Sequence, residues 1–111
     1  MFNVPTPERL AAIPKLYETE DVPFKEKQIH LHFFIGASDW YIAETDGEDV
    51  MFGFAILNDD YQSAEWGYVS LSELKDLKLY GGLVQVDCEL PEYWTVKPAQ
   101  EIDKIKLAQG W

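Results

Sequence analysis

Trp40-Tyr41-Ile42-Ala43-Glu44 and Val50-Met51-Phe52-Gly53-Phe54-Ala55-Ile56-Leu57, joined through Asp46-Gly47, set the architecture of this chain. Both runs are rich in aromatic and β-branched residues, which suit a pleated, half-buried strand. The Asp-Gly pair tolerates the positive φ angles of tight hairpin turns. A β-hairpin is expected here.

Working outward, Gln28 begins a period-two pattern in which Ile29, Leu31 and Phe33 point one way and His30, His32 and Phe34 the other. Gly36-Ala37-Ser38 then turns the chain back into the hairpin. On the far side, Asn58-Asp59-Asp60 is a second turn cluster, and residues 64–69 supply a strand with Trp66 and Tyr68 on one face. The result is an antiparallel meander.

Helices flank it. Thr6 caps and Pro7 opens a first helix that Pro14 ends, with Leu10, Ala11 and Ile13 facing the core. Ser70-Leu71-Ser72-Glu73 is a capping box followed by Leu74 and Leu77, a short helix ending before Gly81-Gly82. Residues 83–88 alternate as a further strand, 93–96 suggest one more, and 98–107 resemble a terminal helix with Ile102 and Ile105 buried. The expectation is an α+β fold, an antiparallel β-meander of about four to six strands packed with two or three short helices, in a single domain over residues 1–111.

Composition narrows function. The chain is 47% hydrophobic, away from the regime of disorder. Its longest apolar runs fall far short of the roughly 20 residues that span a bilayer. With no basic segment followed by an apolar one at the N-terminus, a cytoplasmic location is expected. Cys88 is the only cysteine, so no internal disulfide forms, and it reads as a small core residue.

A net charge of −11 repels phosphates and anionic lipids alike, so neither direct nucleic-acid binding nor membrane binding is expected. Its distribution is uneven. Between Lys27 and Lys75 there is no Lys or Arg, while Asp39, Glu44, Asp46, Glu48, Asp49, Asp59, Asp60, Glu65 and Glu73 stand unopposed. The first eight form the candidate partner-binding set. They are either solvated turn residues that keep a small protein soluble or a negative binding surface.

Carboxylates two apart on a strand lie about 6.6 Å from each other, close to the spacing of phosphates. A domain of this length spans roughly 34 Å, a length of duplex with about 20 phosphate charges. Eleven net charges supply half of that, so imitation of DNA requires the acids to share a face.

Catalytic and metal signatures are sparse. His30 and His32, two apart, could serve a carboxylate-assisted hydrolase or supply two zinc ligands, but no further His completes a set. Asp46-Gly47-Glu48-Asp49 does not follow the calcium-loop order and already has a turn explanation. A nucleophile elbow, a phosphate-binding loop and a dinucleotide fingerprint are absent. No cofactor, metal or catalytic residue is assigned. The aromatics Trp40, Tyr41, Phe52, Phe54, Trp66 and Tyr68 read as the sheet's core face and its cover, and an exposed Trp or Tyr among them would mark an interface.

Leu16-Tyr17-Glu18-Thr19-Glu20-Asp21, Asp39-Trp40-Tyr41, Asp46-Gly47-Glu48-Asp49 with Phe52-Gly53, and Glu65-Trp66-Gly67-Tyr68-Val69-Ser70-Leu71-Ser72-Glu73-Leu74 together resemble the bacterial family DUF2958, over about residues 10–102. Residues 103–111 look like a C-terminal helical extension. The resemblance supplies no catalytic residues and implies a setting in bacteria, their plasmids and other mobile elements. The favoured expectation is a non-catalytic acidic protein of a phage or mobile element. It would act in counter-defence, as an anti-CRISPR or anti-restriction type, by occupying a DNA-binding surface of a host nuclease or defence complex. A small hydrolase using His30 or His32, or a structural docking module, are the alternatives.

Overall fold

Every residue of the strand Ser38–Thr45 is buried, which places it at the centre of the molecule. In the computed structural model, which describes residues 1–111, the strands are β1 (Gln28–Ile29), β2 (Leu31–Ile35), β3 (Ser38–Thr45), β4 (Val50–Ile56), β5 (Glu65–Ser70), β6 (Lys78–Leu79), β7 (Val84–Gln85), β8 (Asp87–Cys88) and β9 (Lys97–Pro98). The helices are α1 (Pro7–Ala11), α2 (Leu71–Asp76) and α3 (Asp103–Gln109). The main sheet has five antiparallel strands in the order β5-β4-β3-β2-β8, and two-stranded ladders β1-β9 and β6-β7 flank it. The α+β meander is therefore present.

Alternation along β3 sends Trp40 and Ile42 to one face and Tyr41 and Ala43 to the other. The first face packs Leu31, Phe33 and Met51 against Leu10 of α1, Ile13 just after it, and Leu71 and Leu74 of α2. The second packs Phe54 and Ile56 against Ala99, Ile102 and Ile105 from the C-terminal segment. That double cover explains the complete burial of β3, and it makes the C-terminal helix part of the core.

Local chemistry sets the turns. Gly36 turns β2 into β3 with φ of +55°. Between β3 and β4, Asp46 Oδ1 accepts the backbone N–H groups of Glu48, Asp49 and Val50 at 2.8, 2.8 and 3.1 Å. Thr6 Oγ1 accepts from the Arg9 amide at 3.1 Å, and Ser70 Oγ from the Glu73 amide at 3.1 Å, so both helix caps form as expected. Glu73 reaches back to the Ser70 hydroxyl at 3.0 Å.

Several details depart from expectation. Ala11 is exposed, because a helix this short buries only Leu10. The face of the 28–35 run switches at His30: Ile29 packs in the second layer while Leu31 and Phe33 pack in the first. α2 ends at Asp76, and Leu77 is exposed. Residues 83–88 divide between β7, which pairs with β6, and β8, which pairs with β2. The last ladder falls at Lys97–Pro98 rather than 93–96, and Ile102, extended at φ −96° and ψ 114°, breaks the terminal helix in two.

Candidate binding site

A β-bulge at Ala43 shifts the register between Ile42 and Glu44, so that Glu44 sits opposite Phe52 on the second face of the sheet. There its carboxylate accepts the N–H of Tyr17 at 2.9 Å, the N–H of Thr19 at 3.0 Å and the Thr19 hydroxyl. The Lys27 ammonium lies 3.9 Å away and donates to the Thr19 carbonyl and, at 2.8 Å, to Thr19 Oγ1. Both side chains of the ion pair are about 5% exposed (6% and 5%). The pair ties the 14–27 segment, with Tyr17 in the left-handed region at φ +71°, across the sheet.

This strap roofs a pocket of about 430 Å³ walled by Tyr17, Phe24, Phe52 and Tyr68, with Glu20 and Asp21 at its rim and Lys27 and Glu44 at its base. The aromatic rings touch in sequence. Centroids are 6.5 Å apart for Tyr17 and Tyr68, 5.0 Å for Tyr68 and Phe52, 6.0 Å for Phe52 and Trp66, and 4.9 Å for Trp66 and Phe24. Tyr17, Phe24 and Tyr68 are 60%, 48% and 56% exposed, so aromatic surface that could pack inward faces water. Ring faces under a carboxylate rim suit a cationic group, and Lys27 already holds its ammonium 5.6 Å from the Phe24 centroid.

The eight candidate acids do not form one face. Asp39 and Glu44 are buried and ion-paired, so they are not part of the surface. Asp46, with its three amide donors, is held below the usual carboxylate range. Asp49, half-buried, accepts the Ser72 N–H at 2.8 Å and its hydroxyl at 3.1 Å, supporting the start of α2. Glu48, Asp59, Asp60 and Glu65 are exposed. The surface acids thus fall into two groups, 46–49 at one end of β4 and 59–65 at the other, separated by roughly 20 Å of strand.

Asp39 belongs to a second polar assembly on the same face as Glu44. The His32 ring stacks on Tyr41, with centroids 4.5 Å apart and planes at 4°. Its Nε2 lies 2.7 Å from Asp39 Oδ1 and its Nδ1 lies 2.6 Å from Glu89 Oε1, while Lys104 Nζ donates to Asp39 Oδ2 at 2.9 Å. Burial works to raise the Asp39 pKa, but the hydrogen bonds from His32 and Lys104 outweigh it and hold the carboxyl below its ordinary value. Both ring nitrogens are occupied by carboxylates, leaving no ring atom for a substrate proton. His30 is half-buried, and burial lowers its pKa. The two histidines pack in different surroundings, and no three His, Cys, Asp or Glu side chains converge on a point that could hold a metal.

Sequence reasoning passed over Lys27, Tyr17 and Phe24. The signal available was the acid-rich stretch 15–22 around Tyr17, followed directly by Phe24 and Lys27, with no helical or strand period, marking a segment held by side-chain contacts.

A family model described as a protein of unknown function, DUF2958, matches residues 18–90. The chain belongs to the DUF2958 family. The match includes Lys27, Glu44, β5 and the His32–Asp39–Glu89 assembly, and leaves α1, β9 and α3 outside. It is narrower at both ends than the 10–102 expected. No curated protein and no solved structure matches this DUF2958 chain. No helix is long and apolar enough to cross a membrane.

Proposed function

We propose that this DUF2958 protein is a non-catalytic binding protein that occupies a basic, DNA-handling surface of a protein partner. In that role it serves a phage or mobile element as a counter-defence inhibitor of anti-CRISPR or anti-restriction type. The observation that carries the reading is the state of its surface carboxylates. Glu20, Asp21, Glu48, Asp59, Asp60 and Glu65 are exposed and form no ion pair, and Glu20 and Asp21 border the pocket that holds the exposed rings of Tyr17, Phe24 and Tyr68. Unpaired acids raise the rate of encounter with a basic surface, and aromatic anchors supply the slow dissociation that charge alone does not.

The division of the acids between two ends of β4 favours contact at two basic patches over continuous imitation of a duplex. The molecule measures 41 × 32 × 24 Å, large enough to cover a groove that would otherwise hold about one turn of DNA. A tagged pull-down from bacterial lysate at about 0.1 M and about 0.5 M salt tests this, since surface charge contacts are heavily screened across that range. The expected result is capture of a DNA-processing protein at low salt only, displaced by added duplex. Capture that persists at high salt and ignores duplex would instead indicate docking through the exposed aromatics, and no capture would overturn the proposal.

A further inference from the structure

The two edges of the main sheet are finished differently. The outer edge of β8 is covered, because Phe2 donates to the Val86 carbonyl at 2.9 Å and accepts from the Cys88 N–H at 3.2 Å. The outer edge of β5 is bare: its backbone hydrogen bonds are those of the β4 ladder, and no other backbone or side-chain group bonds to Glu65–Val69. Natural edges are blunted by lysine, proline or a bulge, and an unblunted one is a template for another strand. β5 contains neither residue, and its register with β4 runs without a shift.

Each face of this bare edge carries a depression. On one side Tyr68 borders the aromatic pocket with its Glu20 and Asp21 rim. On the other, Gly67 and Val69 border an apolar groove of about 360 Å³ that runs to Leu77 of the segment after α2, with Glu65 and Glu73 beside it. A β-carbon placed on Gly67 would touch nothing within 4 Å, so the groove floor is open.

We infer that β5 is a strand-pairing site for an extended, basic segment of the partner protein, whose alternate side chains enter the aromatic pocket as cations and the Gly67 groove as aliphatic groups. Added strands gain affinity from backbone hydrogen bonds and selectivity from pockets for alternate side chains. The sign of the charge follows from the acids on both faces. The same acids oppose a second copy of this chain, since pairing would bring together two molecules each at −11. The inference rests on the proposed function only for the identity of the partner as a basic protein.

The test uses a capped hexapeptide alternating lysine and valine, titrated into the labelled protein and followed through its backbone amide resonances. Saturable shifts centred on Trp66 to Val69 are expected, together with at least a tenfold weaker response to the same peptide made with glutamate. N-methylation of one alternate set of peptide residues should weaken binding at least tenfold and methylation of the other set should not, which distinguishes strand pairing from side-chain contact alone. Gly67→Val should weaken binding by a similar factor with a urea midpoint no lower than the parent's. No shifts in β5, equal binding of both charges, indifference to both methylation patterns, or concentration-dependent dimerisation that excludes the peptide would each overturn the inference. If the partner capture described above stays salt-sensitive in Gly67→Val, the strand-pairing site fails while the proposed function stands. Peptide binding without any salt-sensitive capture gives the reverse.

Discussion

A β-carbon on Gly53 would stand 2.0 Å from the carbonyl oxygen of Tyr41 and 2.9 Å from Cα of Ile42. Gly53 faces Ile42 immediately before the bulge that turns Glu44 toward Lys27, so the close approach of β4 to β3 at this point sets the geometry of the pocket base. Gly53→Ala cannot be relieved by moving a flexible side chain, because the obstacle is backbone. We expect a loss of about 3 kcal/mol, the upper part of the overpacking range, read as a lower urea midpoint. Gly67→Ala in the neighbouring strand meets nothing and is the control, with a change of less than about 1 kcal/mol. An unaltered midpoint for Gly53→Ala would remove the steric account.

The Lys27–Glu44 pair predicts strong coupling. Glu44→Gln keeps an acceptor for the Tyr17 and Thr19 amides but leaves the Lys27 charge buried without a counter-ion, so a loss of about 3 kcal/mol is expected. Adding Lys27→Met removes that stranded charge. The double variant should therefore be more stable than the sum of the single changes predicts, by about 1 to 3 kcal/mol. Strict additivity in denaturant melts would show that the two groups do not interact.

The meander was legible because period-two alternation, Asp46-Gly47 and the Asn58-Asp59-Asp60 cluster agree with one another. The caps at Thr6 and Ser70 were legible because they depend on neighbours a few residues away. What escaped was non-local. The bulge at Ala43 has no residue signature, yet it moves Glu44 from one face to the other, and with it the meaning of the acid run. Asp39 and Glu44 resemble Asp59 and Glu65 in sequence, and only partners distant in the chain, Lys104 and Lys27, distinguish a buried ion pair from a surface charge. The pocket escaped for the same reason, since Tyr17 and Phe24 lie in an aperiodic stretch and meet Phe52 and Tyr68 only across the sheet.

Cys88 should be chemically quiet. Its thiol is pushed up to about 11 by burial, with the Arg9 guanidinium pulling partly the other way from 3.8 Å. The folded protein therefore keeps the thiol protonated where an unfolded chain, with a value of about 8.5, ionises it. Stability is lost as pH rises from about 8.5 toward the folded value, and burial of the Tyr41 phenol, which also raises its pKa, acts in the same direction at higher pH. Alkylation by iodoacetamide at about pH 8 should be at least tenfold slower in the native protein than in urea. Comparable rates would mean that the site opens readily.

His32 distinguishes a structural assembly from a catalytic one. A hydrolytic histidine must offer a nitrogen to substrate, so its replacement would abolish turnover while leaving stability intact. With Asp39 and Glu89 on its two nitrogens, His32 instead joins β2 to β3 and to the residue after β8, and His32→Ala would leave a buried carboxylate short of a donor. The expected result is a loss of about 2 to 3 kcal/mol of stability, read as a lower urea midpoint, with no change in the hydrolysis of p-nitrophenyl acetate, which should not exceed that of free imidazole. The Asp39 carboxyl, held below its unfolded value of about 3.9, contributes stability above that pH and loses it as pH falls through the folded value. Asp39→Asn should therefore flatten the acid limb of the stability profile. A histidine variant that folds as well as the parent but loses ester turnover would restore the hydrolase.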